Sequence, residues 1–210
     1  LMLGKKVISR SLTIKSITGQ EFFAGQRLNG YYPIDAEGVV PDKELTLIDD
    51  GVLRGMLNGR RPTKKIAHSN GHARFDYFSN RAQVMPGNIL ITGDQTFSAD
   101  TLRSKLLAAA KEEDLDYVYV VRQWDSGPNL FYKLYLADGR EELVRGASLT
   151  DVNLKTFKRI LGVSDKQQMA TYGDVPVTII APGTLLVEEM DVTRTPNLEF
   201  KKPYIVPRPQ

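Results

Sequence analysis

The chain has 210 residues, no cysteine, 41% hydrophobic and 25% charged residues, and a formal net charge of +3. A chain of this size hides roughly 70% of its unfolded surface, so one domain, or at most two small ones, is expected. The composition excludes disulfides, thiolate nucleophiles and cysteine-built zinc sites, and no apolar run approaches the ~20 residues a membrane-spanning helix requires.

Positions 6–17 alternate apolar and polar side chains (Val7, Ile8, Leu12, Ile14, Ile17) and predict strand structure. Positions 19–38 are Gly- and Tyr-rich and read as loop, ending in Asp35-Ala36-Glu37-Gly38. Two strands follow at 44–48 and 52–57, joined at Asp50-Gly51, a pair that readily takes the positive φ angles of a tight I′ turn. Positions 58–76 are polar, are interrupted by Gly59 and Pro62, and predict loop. A short strand is expected at 88–92. Ser98 fits a helix N-cap, and Leu102, Leu106 and Ala109 lie on one face of a helix reaching about Glu113.

The β-branched and aromatic run at 116–123 predicts a strand. Strands at 130–136 and 141–144 flank a second hairpin signal, Asp138-Gly139. Leu154, Phe157 and Leu161 stand at helical spacing and predict a second helix over 153–161. Strands at 175–180 and 185–190 come next, and 194–210, with Pro196, Pro203, Pro207 and Pro209, reads as an extended tail. The pattern is α+β and β-rich, with mostly antiparallel or mixed sheets, hairpins and two main helices. Neither phosphate-cradling glycine motif is present, so a nucleotide-binding fold is not expected.

Lys5-Lys6, Arg60-Arg61, Lys64-Lys65 and Lys201-Lys202 are scattered and interleave with acids. Without a basic stripe carrying aromatics, nucleic acid is not an expected partner. The two histidines, His68 and His72, occur in HSNGH, where Asn70-Gly71 argues for a turn instead of a helix that would aim both rings at one metal. A metal site is the least expected of three readings for that segment. The others are a solvent-exposed or hydrogen-bonded structural loop, and a loop lining a binding site completed by another segment, with Asn70, His72 and Arg74 as donors and Gly71 admitting a ligand to the backbone. Asp35 and Glu37 are expected mainly to bond their own turn, although paired carboxylates can do acid/base work. Trp124, before the turn Asp125-Ser126-Gly127-Pro128, is expected to pack at a strand end. No serine sits in a nucleophile-elbow context.

The stretch 35–74, with its acidic-Gly turn, its TLIDDGVLRGML hairpin and its basic Asn-Gly loop, resembles the TldD/PmbA family. The segments 93–107 and 138–149 (DGREELVRGASL) are similar to later family motifs, and the ending, Ala181-Pro182 through Glu188-Glu189 to the Pro-rich tail, is similar to a longer, divergent branch. The resemblance covers nearly the whole chain and implies a single C-terminal domain over 1–210. An N-terminal domain carrying an HExxxH zinc helix would precede it in the parent.

Zinc is thus implied for the parent and no metal for this chain alone. In better-known members a cysteine near the place of 164–173 completes the zinc site; here there is none. The resemblance implies the peptide-holding half of a zinc-dependent peptidase. Peptide or unfolded protein would be the substrate, and His68, Asn70, Gly71, His72 and Arg74 the substrate-binding residues. No catalytic residue is expected in the chain itself. The alternative is a non-catalytic partner that dimerises with an active relative; homo- or hetero-dimers with family members are implied either way. No export signal is recognisable. A cytoplasmic location is favoured, and a periplasmic one follows if the parent carries a signal.

Overall fold

A computed structural model describes residues 2–123 and 130–194. Trp124, the turn after it and the Pro-rich tail beyond 194 lie outside the described residues. The chain forms two compact units, one comprising Leu1–Arg103 and Asn153–Glu189, the other Ser104–Val152 and Met190–Gln210.

The first unit is built on a six-stranded mixed sheet, in the order Gln167–Tyr172, Val177–Pro182, Asn88–Gly93, Leu12–Ser16, Leu45–Asp49, Val52–Leu53. Pairing is antiparallel throughout except between Val177–Pro182 and Asn88–Gly93, which run parallel. Asp50-Gly51 closes the last hairpin with φ of 47° and 75°, both positive as a I′ turn requires. Each face of the sheet carries an apolar cluster. Ile91 packs with Val7, Ile8, Leu12, Ile160 and Val163, while its neighbour Leu90 packs with Ile17, Leu28 and Ile180, as the alternation of a strand dictates. A three-stranded sheet (Leu185–Val187, Ile160–Ser164, Thr96–Phe97) and two short hairpins, Phe22–Phe23 with Gln26–Arg27 and Ala73–Asp76 with Arg81–Val84, complete the unit.

The helix Ala99–Glu112 starts as expected: the Thr101 N–H donates to Ser98 Oγ at 3.2 Å. The second unit holds an antiparallel sheet of Tyr117–Gln123, Leu130–Tyr135 and Glu141–Val144, and a pair formed by Ala147–Thr150 and Asp191–Arg194. Phe131 and Leu134 are fully buried there.

The predicted second helix is corrected. Over 153–161 the chain makes only a 3-10 turn, Thr156–Lys158, then enters the strand Ile160–Ser164. Leu154 (54% exposed) and Leu161 (45%) face solvent while Ile160 (7%) is buried. The apolar spacing that suggested one helical face is divided between a turn and a strand. The fold is therefore mostly β with one main helix. The hairpin Ala73–Asp76/Arg81–Val84 and the strand Gln167–Tyr172 also form where no strand was predicted.

Candidate functional site

Residues 58–74 pack against the start of the chain through a buried polar network. Two asparagines close the loop 58–70 at its neck. The Asn58 N–H donates to Asn70 Oδ1 (2.7 Å), and Asn58 Nδ2 donates to the His68 carbonyl (2.8 Å). The Asn70 N–H donates back to the Asn58 carbonyl (3.3 Å), and Asn70 Nδ2 donates to the Met56 carbonyl (2.9 Å). That last bond fixes the amide orientation, so Asn70 Oδ1 is also the atom 2.9 Å from His72 Nδ1.

The orientation determines the histidine tautomer. Nδ1 carries the proton and donates to Asn70, which leaves Nε2 as the acceptor for Ser16 Oγ at 2.7 Å. Thr18 Oγ1 accepts the Gly87 and Asn88 N–H groups and turns its own proton to Ser16, 2.9 Å away. Hydrogen bonds thus run in one direction from Thr18 through Ser16 and His72 to Asn70. Ser16, Thr18 and His72 are fully buried. Burial, aided by the Arg74 charge, pushes the His72 pKa below the usual imidazole range, against the raising effects of the Asn70 backbone and of Asp42 and Asp35.

Gly71 is in the left-handed region at φ 75°, and a Cβ there would lie 2.5 Å from Pro41 Cα. The close approach that glycine permits is made by this chain's own backbone. Tyr32 donates its hydroxyl to the Gly71 carbonyl at 2.9 Å, and burial raises its pKa to about 12, so it stays a donor. Arg74 stacks over the Tyr32 ring, with 5.2 Å to the centroid. It also donates to the carbonyls of Pro86 (2.8 Å) and Pro176 (2.6 Å). Pro176 lies in the turn between Gln167–Tyr172 and Val177–Pro182, so Arg74 ties the loop's base to the outer hairpin of the large sheet.

Asp35 is buried and gathers three N–H groups. Its Oδ1 accepts from Glu37 (2.9 Å) and Val39 (2.8 Å), and its Oδ2 from Ala73 (3.0 Å). It bonds its own turn, as expected, and also reaches 38 residues along the chain. Of the five residues singled out in the sequence, Asn70, Gly71, His72 and Arg74 are joined in one network with internal partners, while His68 presents an exposed side chain at the loop surface. Sequence reasoning missed Ser16, Thr18 and Asn58. Their only signal is a small polar residue beside apolar ones, which has no meaning until the fold brings it to His72 and Asn70.

Among the described residues no three His, Asp or Glu side chains converge as a metal site. Both His72 nitrogens are engaged, and the His68 side chain is exposed. These residues do not by themselves fit a zinc ion.

The family model for the PmbA/TldA metallopeptidase C-terminal domain matches residues 1–194. The chain belongs to that family. A curated protein named "Metalloprotease" from Archaeoglobus fulgidus is 29% identical over 169 residues, covering 75% of this chain and 36% of its own length. The fold is similar to TldE from Thermococcus kodakarensis, with TM-score 0.54 and 14% identity, covering 89% of this chain and 41% of that one. A Bacteroides thetaiotaomicron protein named for modulation of DNA gyrase superimposes with TM-score 0.51 and 13% identity, covering 92% and 39%. The chain therefore spans about two-fifths of the length of the relatives it matches. Within this PmbA/TldA domain, the stretch 164–173, where the resemblance places a family cysteine, is largely the exposed strand Gln167–Tyr172.

Proposed function

We propose that this domain is the peptide-holding half of a zinc-dependent PmbA/TldA-type peptidase whose metal is bound by residues outside the segment described. The observation that carries the reading is the edge strand Gln167–Tyr172. It pairs in six consecutive registers with Val177–Pro182 and has no partner on its other side among the described residues. Edge strands are commonly blunted by lysine, proline or a bulge, and this one has none of these. An extended polypeptide adding to such an edge gains main-chain hydrogen bonds with little demand on its sequence. Arg74 joins that hairpin to the base of the loop 58–70, where His68 is, of the five residues singled out, the one free to meet a bound chain, and Asn70, Gly71, His72 and Arg74 hold the loop's shape.

The test is metal content and casein cleavage by the natural polypeptide that carries this domain. Near-stoichiometric zinc with chelator-sensitive cleavage is expected. Absence of both would move the assignment to a non-catalytic subunit that pairs with an active relative.

A further inference from the structure

Charge along the whole chain is mixed, but one stretch departs from that. Between Asp50 and Asp76 there are six Lys or Arg residues and no acid. The fold concentrates four of them, Arg60, Arg61, Lys64 and Lys65, on the loop 58–70, and all four are exposed. Thr63 and Ile66 close a turn at the tip. The Thr63 N–H donates to the Ile66 carbonyl (2.9 Å) and the Ile66 N–H to Thr63 Oγ1 (3.0 Å), which places Lys64 and Lys65 at the turn's centre.

None of the four cations is in an ion pair among the described residues. Glu37, whose carboxylate touches the loop, accepts the Arg60 backbone N–H at 2.5 Å and makes no ion pair with the Arg60 guanidinium. The neck is closed by Asn58 and Asn70, so the cationic residues contribute nothing to the loop's closure. A compact loop with joined ends and a polar tip of one charge is a frequent form of binding element.

We propose that the loop 58–70 docks acidic stretches of an extended polypeptide, with Arg60, Arg61, Lys64 and Lys65 contacting its carboxylates. This rests on the peptide-holding reading and assigns the substrate a charge preference. Paired arginine forks suit carboxylates. The loop has no Phe, Tyr or Trp on which an unstacked base could lie, and its charge does not continue as a stripe of the kind that tracks a nucleic-acid backbone.

The experiment measures fluorescence anisotropy of labelled peptides of equal length, one with a run of glutamates and one uncharged, on the full chain and on R60Q/R61Q/K64Q/K65Q. The acidic peptide is expected to bind about tenfold tighter at low salt, with most of that advantage lost near ~0.3 M salt. In the fourfold variant the gap closes. If that variant does not fold, K64Q/K65Q at the turn's centre narrows the gap by about threefold. Equal affinity for both peptides overturns the charge preference while leaving the peptide-holding reading intact. Binding of neither overturns both. Salt-sensitive binding of random duplex DNA without acidic-peptide binding, abolished by the same substitutions, assigns the loop to nucleic acid and overturns the proposal.

Discussion

Ser16 Oγ lies 2.7 Å from His72 Nε2, and neither side chain reaches solvent. The two residues stand 56 positions apart. The bond fastens the loop that follows the Asp50-Gly51 hairpin to the first strand of the large sheet, and it carries the first prediction. Ser16→Ala leaves Nε2 without a donor and Thr18 without an acceptor in a site closed to water. The expected loss is about 1–3 kcal/mol of stability, read from chemical denaturation. An unchanged midpoint would mean that water replaces the serine hydroxyl.

A second prediction concerns acid. Burial holds the folded-state pKa of His72 below its ordinary value, whereas the unfolded chain protonates near pH ~6.5. As pH falls through that value, the unfolded state takes up a proton that the folded state refuses. Stability is therefore complete above it and declines below it, by at most about 1.4 kcal/mol per pH unit until the folded pKa is reached. Urea midpoints followed from about pH 7.5 to about pH 5.5 should show the decline. His68→Ala, altering an exposed ring, should keep it; His72→Gln should flatten the histidine contribution.

Gly71 and Gly139 separate strain from collision. Both have positive φ, 75° and 70°, but only Gly71 faces backbone, whereas nothing lies within 4 Å of a Cβ built at Gly139. Gly139→Ala should cost about 1 kcal/mol. Gly71→Ala, driven against Pro41, should cost about 3 kcal/mol or more. Equal losses in thermal melts would contradict the packing described at Pro41.

Asp35 offers a fourth. Asp35→Ala removes the acceptor of three N–H groups at once and should cost about 3 kcal/mol. Asp35→Asn, with one oxygen remaining, should cost less. Proteolysis near residues 36–40 and 73 would report the local opening.

The local parts of this fold are legible in the sequence. Asp50-Gly51 takes the turn its φ preferences allow, Ser98 caps the helix it precedes, and the β-branched run before residue 124 is a strand. The second helix is not legible, because the partners that pull Ile160–Ser164 into a sheet are Thr96–Phe97 and Leu185–Val187, both far along the chain. Gln167–Tyr172 is exposed at all but one position, so it lacks the alternation that marks a half-buried strand. At the candidate site the sequence singled out a segment that carries a buried hydrogen-bond network. It could not show that His72 and Asn70 turn inward, since that depends on Ser16, Thr18 and Asn58 supplying partners.

Closure of the loop 58–70 by Asn58 and Asn70 divides it into a constant frame and a replaceable insert. Residues 60–66 can change length or sign while the amides at the neck go on satisfying one another. The same frame can thus carry tips of other length or charge, by drift or by grafting, with its hydrophobic clusters untouched.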